Sequence, residues 1–131
     1  MKRVTGIGGV FFRSKDPSAI NAWYKEHLGV PVGDDGYTTF PWREADEPHR
    51  PGLTTWATFD ADTEYFGMPT QQWMVNYRVD DLDALLEELQ RAGVEIVPRR
   101  EEYDFGKFAW IVDPDGNRVE LWEPPHEETI P

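Results

Sequence analysis

The chain repeats itself once. Setting Asp16 on Asp81, a shift of 65 (81 minus 16), lays Val10-Phe11-Phe12-Arg13 on Val75-Asn76-Tyr77-Arg78 and puts Ile20 and Tyr24 on Leu85 and Leu89. One deletion then brings Gly29-Val30 onto Gly93-Val94. Each copy runs in the same order: strand, Asp cap, amphipathic helix, Gly stop, Val-led strand. A unit of roughly 60 residues exceeds a solenoid repeat. The repeat therefore implies an α+β fold of two tandem βαβββ modules, their strands forming a curved mixed sheet around a shared cleft. At 131 residues the chain holds one such domain and a real core. Module one is expected over about residues 4–66 and module two over about 72–124, with 125–131 a loosely held acidic tail.

Local signals place the elements. Residues 4–13 read as a buried strand whose Gly6, Gly8 and Gly9 admit close approach to the backbone. Asp16-Pro17 opens a helix with Ile20, Trp23, Tyr24, His27 and Leu28 on one face, and Val30-Pro31-Val32 leaves it extended. Strands follow at 37–42 and 53–59, separated by a charged loop. Residues 60–72 connect the halves, with a short strand expected around 64–66. Module two repeats the plan: a strand at 73–79, a helix with Leu82, Leu85, Leu86 and Leu89 in one stripe, and a strand at 94–97. A charged loop is expected at 98–106, then strands at 107–113 and 118–122 joined by the turn Pro114-Asp115-Gly116-Asn117.

Charge and composition limit the partners. A formal net charge of −12 repels phosphate backbones and anionic lipid heads, so nucleic acid and membrane are not expected partners. The absence of Cys removes disulfides and thiolate zinc sites, and with no leader-like segment the expected location is the cytoplasm. Six Trp are many for this length; most belong in a core, and some could line a ligand cavity.

Four segments carry a family resemblance: Gly9-Val10-Phe11-Phe12-Arg13-Ser14-Lys15-Asp16, Trp23-Tyr24-Lys25-Glu26-His27-Leu28-Gly29, Val79-Asp80-Asp81-Leu82, and Asp113-Pro114-Asp115-Gly116-Asn117-Arg118-Val119-Glu120-Leu121. The chain resembles the vicinal oxygen chelate superfamily of glyoxalases, bleomycin-resistance proteins and extradiol dioxygenases from about Val4 to Pro124. The resemblance implies the glyoxalase-like fold strongly and the reaction weakly, because one fold hosts many functions. It also implies a homodimer that closes its clefts.

In metal-dependent members, the resemblance implies a divalent ion held by His or Glu from the first strand of each module and by ligands elsewhere in the sheets, acting as a Lewis acid on vicinal oxygens. Here Gly9 and Met74 stand at those first-strand positions, and neither binds a hard cation. The mid-sheet position of module one falls near Trp56. Glu120 alone keeps the family's identity, so no metal site and no cofactor is expected. His27, His49 and His126 are scattered without ligand spacing.

What remains is a cleft with an aromatic and polar lining. Strand alternation turns Phe11, Arg13, Asn76 and Arg78 toward it with Gly9 and Met74, Glu120 brings Arg118 and Trp122, and Trp56 and Trp110 complete the walls. Glu120 has two readings: a base with a raised pKa among Trp rings, or an ionised partner of Arg13, Arg78 or Arg118. The leading expectation is a glyoxalase/bleomycin-resistance-like protein binding a small aromatic or amphipathic molecule in a metal-free cleft. The alternatives are a lyase or isomerase using Glu120 as base or metal ligand, and a non-catalytic association module.

Overall fold

The structure is a computed structural model describing residues 3–125. Its elements are β1 (Val4–Ser14), α1 (Pro17–Leu28), β2 (Tyr37–Arg43), β3 (Pro51–Asp60), β4 (Trp73–Val79), α2 (Leu82–Arg91), β5 (Glu95–Tyr103), β6 (Gly106–Val112) and β7 (Arg118–Glu123). All seven strands join one mixed sheet in the order β2-β3-β1-β4-β7-β6-β5. No helix among the described residues is long and apolar enough to cross a membrane.

The repeat is written into the strand pairing. β1 and β4 run antiparallel at the sheet centre with Val10 opposite Val75, Phe11 opposite Met74 and Gly9 opposite Asn76. Because Val10 and Val75 are repeat equivalents, a pseudo-twofold axis passes through that pair and exchanges the other two. Outward from the centre, β1 pairs parallel with β3 and β4 pairs parallel with β7. Both helices start the same way: Asp16 and Asp81 each accept a hydrogen bond at 3.1 Å from the amide three residues on, Ala19 and Ala84.

The halves differ in detail. Residues 30–35 form no strand, so module one contributes three strands and module two four. The expected strand at 64–66 is replaced by turns. The expected loop at 98–106 is largely strand. Pro98 is accommodated because β5 lies at the sheet edge and its register shifts between Ile96 and Arg100.

The core divides between the two sheet faces. Leu82 and Leu85 of α2 pack with Val79, Ala109 and Leu121, while Phe11, Phe66, Met74 and Trp110 form a second cluster. The expected apolar face of α1 buries no residue completely; Trp23 is 48% exposed and Leu28 63%. Tyr24 carries the contact instead, meeting Phe12 and Trp56 edge-on at 5.8 and 5.2 Å. The acidic tail lies, but for Pro125, outside the described residues, as does His126.

Candidate functional site

The site is built on the two parallel pairs beside the axis. Asn76 of β4 lies beside Glu120 of β7, and Glu120 lies opposite Trp110 of β6. The Glu120 carboxylate is 2% exposed and accepts from Asn76 Nδ2 at 2.5 Å, from Trp110 Nε1 at 3.0 Å and from the Tyr65 hydroxyl. Burial pushes its pKa above the usual carboxylate range, and the three donors pull against that shift. Tyr65 is pushed up as well, first by burial and then by the charge of Glu120, so it stays a phenol and a donor.

Tyr65 reaches this position because the connection between the modules folds over the cleft. Arg13, buried at the end of β1, binds that connection through four carbonyls: Nε donates to Gln71 at 2.7 Å, Nη1 to Ala61 at 2.8 Å and Thr63 at 2.7 Å, and Nη2 to Met68 at 3.1 Å. Its guanidinium also lies 5.0 Å from the ring of fully buried Phe66. The charge is thereby solvated by backbone dipoles in place of water.

The open part of the cleft has a volume of about 820 Å³. One wall is Phe11, Phe59 and Tyr65, with Tyr65 stacked on Phe59 at 5.3 Å and 6°. The opposite wall is a run of rings: Phe108 stacks on Trp122 at 6.3 Å and 14°, Phe105 meets Phe108 edge-on, and Tyr103 stacks on Phe105 at 5.0 Å. Trp122 is fixed by donating Nε1 to the Phe105 carbonyl at 2.8 Å. Asp35, Glu101 and Glu120 line the cleft, and among the described residues no Lys, Arg or His does.

A divalent ion does not fit this site. The Phe11 ring lies over Gly9, so that a Cβ there would come within 2.6 Å of Phe11 Cζ. Met74 is fully buried, and Glu120 is engaged by three donors. No group of three or more His, Asp or Glu among the described residues could hold a metal.

Of the residues singled out from sequence, Phe11, Asn76, Glu120 and Trp122 line the cleft, and Trp110 lies beneath it as the partner of Glu120. Trp56 does not reach it. β3 presents Thr55, Ala57 and Phe59 to the cleft, while Trp56 packs on Phe12 and Tyr24 toward α1. Ala57, opposite Phe11, is the symmetry mate of Glu120, which lies opposite Asn76. Arg13 is spent on the connection. Arg118 supports it too, with its amide bound to Gln71 Oε1 at 2.7 Å. Arg78 sits at the far end, 5.2 Å from the Trp42 ring with Nη2 3.6 Å from Glu44. None of the three arginines is an ion-pair partner of Glu120. Phe59, Tyr65, Tyr103, Phe105 and Phe108 also face the cleft; the aromatic pair Tyr65-Phe66 in an otherwise polar connection is the signal that marks a packed segment.

A family model for the Glyoxalase/Bleomycin resistance protein/Dioxygenase superfamily matches residues 6–121, and the chain belongs to that superfamily. A comparison with curated proteins finds no match. Among solved structures the chain is similar to methylmalonyl-CoA epimerase from Mycobacterium tuberculosis, at 22% identity and TM-score 0.61 over 96% of this chain and 92% of that one. It is similar to the Streptomyces coelicolor methylmalonyl-CoA epimerase in complex with 2-nitronate-propionyl-CoA, at 14% identity and TM-score 0.65, covering 94% and 99%. It also resembles the Mn(II)-bound glyoxalase from Novosphingobium aromaticivorans, at 22% identity and TM-score 0.60, where all of this chain covers 42% of the other. At these identities the likeness is one of fold.

Proposed function

We propose that this superfamily member binds a small planar aromatic molecule, neutral or cationic, between the aromatic walls of its cleft without a metal. One observation carries the reading: an aromatic cleft of about 820 Å³ whose charged lining residues, among those described, are all carboxylates. Rings on both sides favour a flat ligand, and the acidic lining favours a positive or neutral one. A coenzyme A thioester, the ligand class named for the epimerases, carries phosphates, whereas no Lys, Arg or His among the described residues lines this cleft and the neighbouring Arg99 is engaged with Glu101.

Glu120 acting as a base would make the protein a lyase or isomerase. The three protein donors on its carboxylate favour a structural acceptor instead, since a base needs a lone pair aimed at substrate. A two-fold pair of chains belongs to the same proposal, because half-exposed Tyr37, Tyr103 and Phe105 at the cleft mouth are apolar surface that a second copy would cover.

Calorimetry with N-methylquinolinium, quinoline and quinoline-2-carboxylate tests the ligand class. The cation and the neutral ring are expected to bind, the carboxylate at least tenfold more weakly, and Phe108→Ala to weaken all three. Tightest binding by the carboxylate, or indifference to Phe108→Ala, would overturn the reading. Sedimentation analysis reports the pairing of chains.

A further inference from the structure

One buried polar atom of the cleft residues has no partner in the protein. Asn76 is 2% exposed, and its Oδ1 receives no hydrogen bond, whereas the large majority of buried side-chain polar atoms in folded proteins have one.

The direction of this oxygen is set by Glu120. Asn76 Nδ2 donates to Glu120 Oε1 at 2.5 Å, and the reversed amide would set a carbonyl against a carboxylate. Oδ1 therefore lies on the side of the amide away from Glu120, and there it meets Gly8 and Trp122. A Cβ on Gly8 would collide with Oδ1 and come within 3.0 Å of Trp122 Cε3, so it is glycine that leaves the oxygen its place. Gly8 falls in the register shift of β1 between Ile7 and Gly9, where the ladder with β4 is interrupted. Gly8, Asn76 and Trp122 all line the main cleft, so the residues that meet at the unpaired acceptor are cleft residues. The repeat mate of Asn76 is Phe11, whose ring covers Gly9, and the first module offers no such oxygen there.

We infer that Asn76 determines which flat rings the cleft accepts, its Oδ1 taking a hydrogen bond from an N–H or O–H on the edge of a ring seated beside Trp122. The ligand class is a planar aromatic with a donor on its edge. Donation to the Glu120 carboxylate polarises the amide and makes its carbonyl the stronger acceptor. A ring with only a lone pair at that edge leaves the carbonyl unpaired and meets it acceptor to acceptor. The inference rests on the cleft being the binding site and adds the polar group that sorts one flat ring from another.

The test compares indole with benzofuran by calorimetry on the full chain, two rings of the same shape that carry N–H in one case and a bare oxygen in the other. Wild-type protein is expected to bind indole about tenfold more tightly. Asn76→Leu, which removes the acceptor at similar volume, should bring the two affinities together by weakening indole alone. Gly8→Ala, whose Cβ takes the place of the oxygen, should do the same. Should neither variant fold, the wild-type ranking decides. Equal binding of both rings to wild type, with Phe108→Ala weakening each, overturns the inference and leaves the cleft reading standing, as does a preference for indole that survives Asn76→Leu. Binding of N-methylquinolinium with no binding of indole has the same meaning. Failure of every ring to bind wild-type protein removes both.

Discussion

At the scale of single residues, Glu120 shows how much one buried carboxylate organises, gathering Tyr65, Asn76 and Trp110 around it. Its pKa in the fold is raised by burial, so the native state holds that proton more tightly than the unfolded chain. The stability it contributes is therefore fully present below the unfolded carboxyl pKa and declines as pH rises toward the folded value. Glu120→Gln keeps the shape, removes this titration and disrupts one acceptor among three donors, a loss of about 1–3 kcal/mol at acid pH. Urea unfolding at several pH values should show the gap between wild type and variant narrowing as pH rises; a widening gap would mean that the three donors outweigh burial. The place of Glu120 in the cleft was legible in the sequence, because the resemblance marks it and the turn before it fixes the phase of its strand. The fates of Trp56 and Arg13 were not. Most of β3 is half-buried on both of its faces, so alternation alone does not say which side of the strand meets the cleft, and the small residues Thr55 and Ala57 face it while Trp56 turns to α1. Arg13 and Arg78 are equivalent in the repeat and unlike in the fold, since their partners lie 48 to 58 residues away in one case and in the loop before β3 in the other.

Among the elements, the connection between modules behaves as a structural element although it holds no helix or strand. It closes one end of the cleft, supplies Tyr65 to Glu120 and is pinned by Arg13. Arg13→Lys retains the charge and loses the planar fork that reaches four carbonyls at once. Hydrogen exchange is expected to quicken at Gly67 and Gln71, whose amides close the turns of this segment, and to stay unchanged at Leu85 in α2. Overall stability should fall by about 3 kcal/mol, the scale of breaking a buried charged group's hydrogen bonds. Equal acceleration in α2 would show that Arg13 supports the whole fold and not this segment. Helix starts and the 114–117 turn were readable in advance because capping and turn chemistry act within a few residues. The missing fourth strand of module one was not, since Val30-Pro31-Val32 has the composition of an extended segment and only the sheet decides whether it is paired.

Across the whole molecule, 25 acidic residues against 13 basic ones leave the folded state repelling itself. Thermal unfolding should shift upward by a few degrees as salt rises from ~0.01 M to ~0.15 M and the screening length falls from about 30 Å to about 8 Å. A downward shift would indicate that local ion pairs, such as Arg50 with Glu44 and Asp80, outweigh the net repulsion. The axis through Val10 and Val75 has one more consequence. A cleft lined identically by both halves would let a guest sit either way round, and half of every population would face the wrong direction. Here Phe11 stands opposite in kind to its mate Asn76, and Ala57 to its mate Glu120. The duplicated scaffold therefore frames an unduplicated interior, polar at Asn76 and Glu120 where their mates Phe11 and Ala57 are apolar, and a guest with one polar end has one preferred way to lie in it.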